Sequence, residues 1–367
     1  MVFSVAYASH PALAAGFLNN MQSTGAASVS TAGQTAIAED AATVYYNPAG
    51  MTLLHGPEIL ISSGFVFMSN DFKNGGTTAP LGDPARGSSG NNDQFFAVPS
   101  LFATTPLSDR LSVGFGIFNP FGQVNKYADN WVGRYQLQSI SLKSIDIDPT
   151  IAYRISDAFS IGGGIDIQYA HFKRKSALDF GALCFATIGP ANCSGLGLLP
   201  QSADGQIAVE AEDWRVGFNL SALYNFGDST HIGLNYRSEV RHDFSGDADF
   251  ILPAVAGPLT AGGQFQDTSV RSSVTFPEII ALGLSQKIDD RLTLLVDVDW
   301  TRWSRIKQIT FNFGNPLQPA QSLLLNWDDS ARFSIGGIYH LTDDTDLRAG
   351  FAYDQSATSD AFRSADL

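Results

Sequence analysis

Long apolar runs are absent from this sequence of 367 residues. A helix needs about 20 consecutive apolar residues to cross a bilayer, yet even the most apolar segments, such as residues 292–298, are interrupted by polar side chains. Charged residues are also scarce, at 16%. The sequence therefore argues against a helical membrane protein. Without helices, only a closed β-barrel satisfies every backbone group in lipid.

Basic residues are few. There are 22 Lys and Arg against 36 Asp and Glu, which gives a net charge of −14. Nucleic-acid phosphates are bound by clusters of Lys and Arg, and the sequence has no such cluster. A nucleic-acid partner is therefore not expected, and the acidity suits the polar lumen and loops of a barrel.

Cysteine is nearly absent. Cys184 and Cys193 are the only two, and they lie nine residues apart between Gly- and Pro-rich stretches. This spacing predicts a disulfide within a loop, in an oxidising compartment. A two-Cys metal site is the weaker alternative, because no His lies nearby to complete it. Neither a metal nor another cofactor is expected.

Aromatic and small residues are abundant. The chain has 26 Phe, 11 Tyr and 35 Gly, and this composition suits a surface that faces lipid. From about residue 58 onward apolar side chains alternate with period two, as in residues 159–170, 232–241 and 292–301, which is typical of strands with one apolar and one polar face. A soluble β-sandwich would show the same alternation.

The connections between these segments alternate strictly in length. Short, Asp-containing turns near residues 108, 156, 227, 289 and 343 separate long loops, as in bacterial barrels with tight periplasmic turns and long extracellular loops. About eleven strands are predicted. They are residues 58–68, 94–105, 110–118, 135–154, 159–174, 206–226, 230–249, 266–287, 291–313, 323–341 and 346–355.

The N-terminal part of the chain does not alternate. Residues 1–14 are small and apolar and end in Ala12-Leu13-Ala14, which predicts a clipped signal peptide with the mature chain beginning near Ala15. Residues 15–57 are rich in small side chains and too few to form their own core. They are predicted to form a hatch, or plug, inside the barrel of residues 58–367; a flexible periplasmic tail is the alternative.

Several motifs, in order along the chain, resemble one family. They are residues 33–40 (GQTAIAED), Asn47-Pro48-Ala49, residues 131–135 (WVGRY), residues 214–224 (WRVGFNLSALY) and residues 276–278 (FPE). Over about residues 15–367 the chain is similar to the FadL-type outer-membrane long-chain fatty-acid transporters. The resemblance implies an all-β transmembrane barrel of fourteen antiparallel strands with a hatch in its lumen. Eleven of these strands would be present, and the C-terminal three are expected to be missing.

The resemblance also implies a mechanism. A hydrophobic small molecule would be captured by the external loops, passed to a pocket beside the hatch, and released laterally through a gap at a kinked third strand. A long-chain fatty acid is the expected ligand, with an alkane or aromatic hydrocarbon as the alternative. The protein would lie in the bacterial outer membrane as a monomer, in contact with lipid and lipopolysaccharide.

Two other classes of outer-membrane protein are alternatives. A general porin would pass polar solutes. An outer-membrane lipase or protease would need a nucleophile paired with a base, but no motif pairs any of the six His with one. Catalysis is therefore not expected.

Three groups of residues are candidates for the hatch, the gate and the pocket. Asn47, Pro48 and Ala49 are predicted to form the rigid hatch turn, because Pro fixes φ and Asn bonds to nearby backbone. The gate is assigned to Gly114, Gly116, Asn119 and Pro120, because Gly and Pro weaken the strand ladder. Phe17 is expected to line the inner pocket, as the resemblance implies.

Two further groups are candidates for ligand contact. Capture is assigned to apolar residues around the cysteine pair, with packing inside the loop as the alternative: Phe180, Leu183, Phe185, Leu196, Leu198 and Leu199. Four arginines are placed on the lumen side, where they would pair with a ligand carboxylate or neutralise Asp166, Asp297 and Asp299: Arg237, Arg241, Arg332 and Arg348.

Overall fold

The structure is a computed structural model that describes residues 16–72, 74–342, 344–362, 364 and 365. The predicted signal peptide, residues 1–14, lies outside the described residues. No helix within the described part of the chain is both long and apolar enough to span a membrane.

Sixteen strands of the described residues form one antiparallel sheet. The first eight are β1 (Glu58–Phe72), β2 (Gly90–Pro106), β3 (Leu111–Phe118), β4 (Gly122–Lys126), β5 (Ser139–Arg154), β6 (Phe159–Asp179), β7 (Asp204–Phe226) and β8 (Thr230–Arg237). The others are β9 (Val240–Ile251), β10 (Thr268–Phe276), β11 (Ile279–Lys287), β12 (Leu292–Thr301), β13 (Gln308–Phe313), β14 (Gln321–Leu324), β15 (Ser330–Thr342) and β16 (Thr345–Asp354).

Eleven of these strands follow one another across the sheet in the order β1-β2-β3-β5-β6-β7-β8-β11-β12-β15-β16. The prediction of about eleven antiparallel strands is therefore confirmed. The remaining five extend the wall at the end that carries the long connections: β4 pairs with β5, β9 with β7 and β10, and β13 with β10 and β14. The expectation of three further strands stays a prediction.

Four predicted strands are each divided in two. The breaks fall between β8 and β9, β10 and β11, β12 and β13, and β14 and β15. Pro277 explains the second break, because proline cannot donate a ladder hydrogen bond. In contrast, β4 lies in a stretch that was predicted to be a loop.

The outer face of the sheet is apolar, as the alternation predicts. Large apolar side chains such as Ile161 and Ile165 on β6 and Val216 and Leu220 on β7 are exposed there. Their neighbours along each strand, among them Ser160 and Asp166, are buried on the inner face.

The break between β8 and β9 reverses this alternation. Arg237 is buried at the end of β8, and after Ser238 and Glu239 leave the ladder the buried positions of β9 become Val240 and His242. The prediction that Arg241 faces the lumen is therefore wrong: Arg241 is largely exposed and pairs with Asp243.

The N-terminal segment, residues 16–57, folds into short helices. These are α1 (Thr24–Ser28), α2 (Gln34–Ile37), α3 (Thr43–Tyr46) and a 3₁₀ helix (Pro48–Leu53). The last of these packs against β5, β6 and β7, and α2 packs against β8 and β11. The segment therefore lies against the inner face of the sheet, at the end that carries the short turns.

Short helices also occur in the long connections. They are α4 (Phe180–Thr187), α5 (Pro190–Gly195) and α6 (Gly257–Thr260), with 3₁₀ turns at Ala254–Ala256, Trp303–Arg305 and Asp360–Phe362.

Candidate functional site

The Asn47-Pro48-Ala49 turn fastens the N-terminal segment to the wall. Asn47 caps the 3₁₀ helix by accepting a hydrogen bond from the Ala49 N–H, and Pro48 occupies the first turn, where its missing N–H costs nothing. The Asn47 side-chain amide donates to the Thr35 carbonyl at 2.6 Å and to the Ala222 carbonyl on β7 at 3.1 Å. One buried side chain thus joins two parts of the segment to the sheet.

Glycines on the wall allow this close approach. A Cβ at Gly162 would lie 2.5 Å from the Ala49 nitrogen, and a Cβ at Gly350 would lie 2.0 Å from the Val29 carbonyl oxygen. A Cβ at Gly233 would lie 1.8 Å from the Thr35 carbonyl oxygen. Sequence reasoning missed this role, although the glycines occupy inward positions of the period-two pattern and were visible there.

Above the segment, toward the long connections, lies a narrow apolar cavity with a volume of about 50 Å³. None of the described residues that line it is charged. They are Phe17, Gln123, Ile140, Leu142, Phe172, Val209, Ala211, Phe244, Val270, Ser272, Val274, Phe276, Ile309, Phe311, Leu323, Leu325 and Trp327.

Phe17 lies at the centre of an aromatic cluster at one end of this cavity. Its ring centroid is 4.9 Å from that of Trp303, 5.5 Å from that of Phe276, 5.6 Å from that of Trp327 and 5.8 Å from that of Phe121. Aromatic pairs at these separations are favourable in edge-to-face arrangements. Phe17 therefore lines the cavity, and its contact with a ligand stays a prediction.

A second opening, the lateral gap, lies between β2 and β4. On this side β2 pairs with β3 only up to Leu101, opposite Ile117, and residues 94–100 pair with β1 alone among the described strands. The Asn92 amide closes the far end by donating to the Asn125 side-chain oxygen at 2.8 Å. The gap has a volume of about 820 Å³ and opens between exposed apolar residues such as Ile61, Phe95 and Ile145.

The gap exists because the chain bends at Asn119 and Pro120. Past Phe118 the chain leaves β2 but stays with β5, where the Asn119 amide donates to the Ser144 carbonyl at 2.7 Å and the Phe121 N–H donates to the Ser144 hydroxyl at 2.9 Å. The N-terminal segment holds the bend from inside: the Asn19 N–H donates to the Pro120 carbonyl at 2.7 Å.

Gly114 and Gly116 lie elsewhere. Both are paired regularly with β2 and β5, and a Cβ at Gly114 would lie 2.5 Å from the Met51 sulfur. They contact the N-terminal segment in the straight part of β3, whereas the bend itself is at Asn119 and Pro120.

Cavity and gap are adjacent. Leu142 and Gln123 line both, and Phe121 lines the gap while its ring packs against Phe17 and Phe276 of the cavity. The two spaces therefore share part of their walls.

The loop around the cysteine pair has its own small core. Cys184 and Cys193 form a disulfide and are fully buried with Phe180 and Leu198. Leu183 and Phe185 pack against them, together with Leu252, Leu259 and Phe265 from the next long connection. Four of the capture candidates therefore pack inside the loop, as the alternative describes: Phe180, Leu183, Phe185 and Leu198. Leu196 and Leu199 are exposed.

The WVGRY motif ties the loops together. The Arg134 side chain donates to the Asp204 carboxylate at 2.7 Å, and the Tyr135 hydroxyl donates to the same group at 2.8 Å. Burial and this carboxylate raise the pKa of the Tyr135 hydroxyl, so that it stays protonated and keeps donating.

Arg237 is surrounded by protein carboxylates. It contacts Asp166 directly, Asp148 at 3.3 Å and Asp146 at 4.0 Å, and its guanidinium lies over the Tyr45 ring. Such burial is tolerated because the charge is paired. Arg237 thereby neutralises lumen acids.

Arg332 and Arg348 also have protein partners. Arg332 lies 3.6 Å from Asp299 and donates to Thr31 and to the Ser30 carbonyl, and Arg348 pairs with Glu39 and Asp346. Both therefore join the wall to the N-terminal segment.

Residues 5–367 match the family described as outer membrane protein transport protein (OMPP1/FadL/TodX). The chain is 28% identical to the long-chain fatty acid transport protein of Escherichia coli (strain K12), over 97% of this chain and 82% of that protein.

Solved structures are similar as well. A Pseudomonas aeruginosa FadL homologue superposes with a TM-score of 0.85 at 21% identity, over 96% of this chain and 84% of that one. The Ralstonia pickettii toluene transporter TbuX superposes with a TM-score of 0.71 at 19% identity, over 92% of this chain and 88% of that one. The fold is thus that of an antiparallel outer-membrane β-barrel.

The family's members are transport channels for hydrophobic small molecules rather than enzymes, and they lie in the outer membrane. The inward-facing apolar cavity, the apolar outer face and the match over residues 5–367 agree in assigning this chain to the OMPP1/FadL/TodX family of outer-membrane transport proteins.

Proposed function

We propose that this protein is a passive channel that takes up long-chain fatty acids across the outer membrane. The observation that carries the proposal is the contact between cavity and gap: Leu142 lines both, and Phe121 of the gap packs against Phe17 of the cavity. A molecule in the cavity can reach the membrane if these side chains change rotamer, and no energy source is needed.

The first step is capture by the external loops. Leu196 and Leu199, together with Ile188, are exposed beside the disulfide-linked core of the longest loop. Exposed apolar groups of this kind mark binding sites. The buried Phe180 and Leu198 hold these residues in place rather than touching the ligand.

The second step is transfer into the cavity. Its wall is apolar except for Gln123 and Ser272, so an alkyl chain buries its surface there at a gain of roughly 25 cal/mol for each Å² removed from water.

The third step is lateral exit. Residues 15–57 act as a hatch whose hydrogen bonds to the wall block the axial route, as at Asn47 and Ala222. The gap leads instead to the apolar outer face, past Ile61 and Ile145. We propose that the protein works as a monomer in contact with outer-membrane lipid and lipopolysaccharide, with the long connections facing outward.

Aromatic hydrocarbons are a second candidate. The cluster of Phe17, Phe276, Trp303 and Trp327 offers ring edges to a flat ligand, and a toluene transporter shares the fold. An alkane would suit the aliphatic part of the cavity equally well.

Uptake of oleate and of toluene should be compared in cells that lack their own transporter. Oleate uptake well above toluene uptake supports the proposal, and the reverse order favours the second candidate. In a liposome-swelling assay sugars should not pass, and free passage of sugars would contradict a hydrophobic channel. Substitution of both Asn47 and Pro48 by Ala should abolish uptake while the barrel still assembles; if uptake persists, the hatch role is wrong.

A further inference from the structure

Two buried polar atoms that belong to residues lining the apolar cavity have no hydrogen-bond partner among the described residues. They are the indole nitrogen of Trp327 and the hydroxyl oxygen of Ser272. Both side chains are more than nine-tenths buried, with 1% and 8% of their surface exposed. They stand on different elements, Ser272 on β10 and Trp327 between β14 and β15.

Such atoms are uncommon in folded proteins, because an unpaired buried donor loses its bonds to water and gains nothing in return. The indole N–H can only donate, and a hydroxyl can donate or accept. Each of the two groups would therefore be satisfied by an oxygen atom that accepts a hydrogen bond. A ligand can bring that oxygen into the cavity.

The cavity offers no charge to balance an ionised ligand, since its lining residues are neutral. An ionised carboxylate that is buried without a partner is costly and takes up a proton instead.

The charged groups behind the cavity wall are already engaged. His242 packs on Phe244 and Phe276 but is bonded to Asp213 and Gln168. Glu278, which follows Phe276 in the chain, is held by Arg302 and Arg305.

The charged groups nearest Trp327 also have partners in the protein. The Lys307 ammonium donates to the Trp327 carbonyl at 2.5 Å and lies 3.6 Å from Asp328, and Asp329 accepts from the Ser304 N–H. None of these groups lines the cavity.

We propose that the cavity selects uncharged molecules with an alkyl chain and one accepting oxygen, which is held by the Trp327 indole N–H and the Ser272 hydroxyl. A fatty acid would occupy it as the protonated acid: its carboxylate takes one proton from external water on entry and returns that proton to water after release. This inference rests on the proposed function and narrows it, since an alcohol would bind as well as an acid.

Equilibrium dialysis of purified protein in amphipol, with tritiated decanol and decanoic acid, tests the charge preference. Decanol affinity should stay constant from about pH 4 to about pH 8, the range in which an ordinary carboxyl loses its proton. Decanoic acid affinity should fall about tenfold for each pH unit above the pKa of the free acid, because one proton is taken up per ligand bound. Equal binding of decanoic acid across this range would overturn the inference.

Variants test the two polar groups. Trp327→Phe and Ser272→Ala should each weaken decanol binding about three- to tenfold, because each removes one neutral hydrogen bond. Decane binding should not change, and Trp214→Phe on the exposed outer face should alter neither probe. If decane and decanol weaken equally, the residues act by packing and the inference fails. If no probe binds to the wild type, including decane, the proposed function fails with it.

Discussion

The inner face of the sheet carries two regions of opposite character. Beside residues 23–54 the contacts are polar and close: buried side chains such as Asn47 donate across to the wall, and glycines allow backbone to touch backbone. Toward the long connections the contacts are between rings and aliphatic side chains, with hardly a hydrogen bond among them.

The difference between the two regions bears on transport. Hydrogen bonds between buried groups have fixed geometry and are expensive to break. The region beside residues 23–54 therefore resists movement. Side-chain contacts between rings exchange without breaking a directional bond. We infer that the first region closes the barrel and the second yields to a ligand.

The largest effect is expected for Gly122→Trp. Gly122 lines the lateral gap, and a Cβ there would meet only the Leu142 carbonyl oxygen, at 3.8 Å, so a side chain can begin at this position without displacing the strand. Filling the gap should reduce oleate uptake to background while oleate binding persists. Gly64→Trp is the matched control, because a Cβ at Gly64 on β1 meets nothing within 4 Å. Normal uptake by Gly122→Trp would exclude exit through the gap.

The next largest effect, on stability, is expected for Arg237→Gln in the region with the polar contacts. The substitution leaves the buried Asp146, Asp148 and Asp166 without their cation and should lower the free energy of unfolding by about 3 to 5 kcal/mol. Urea unfolding in detergent measures this, with the exposed Arg241→Gln as the control. An unchanged unfolding free energy together with weaker fatty-acid binding would instead make Arg237 a ligand contact.

A smaller effect is expected for Asn47→Ala. It removes the hydrogen bonds to the Thr35 and Ala222 carbonyls and should lower the free energy of unfolding by about 1 to 3 kcal/mol, with a several-fold loss of oleate uptake as the hatch loosens. Asn192→Ala is the control, because that side chain bonds only within its own loop, to the Ile188 carbonyl. If both variants take up oleate equally well, anchoring of the hatch by Asn47 is not needed for transport.

The smallest effect on uptake is expected from replacing both Cys184 and Cys193 by Ser. The loop core retains Phe180 and Leu198, so oleate uptake should change little while protease cleavage of the loop becomes faster. Reduction of the wild type should have the same result. A large loss of uptake would show that an ordered loop is essential for capture.

The strands could be predicted from the sequence because alternation is a local pattern that each strand carries by itself. The face of Arg241 could not, because Ser238 and Glu239 step out of the ladder and reverse the alternation without leaving a strong local signal. Strand β4 was missed for a related reason: its five residues pair only with β5, beyond the Pro120 bend.

The site was predictable only in part. Asn47, Pro48 and Phe17 were found through the family resemblance. The core around Cys184 was not, because it is completed by Leu252, Leu259 and Phe265, which lie more than fifty residues further along the chain. Ser272 and Trp327 were not predicted, because only the folded structure shows that their polar atoms have no hydrogen-bond partner among the described residues.

A photoreactive fatty acid can show whether the ligand passes from the cavity through the lateral gap. After illumination of the protein with a diazirine-labelled acid, mass spectrometry would locate the labelled residues. We predict labels at Phe17 and Trp327 in the cavity and at Phe121 and Val98 in the gap. Labels at Leu53 and His55, at the opening beside the short turns, with none in the gap would contradict lateral exit.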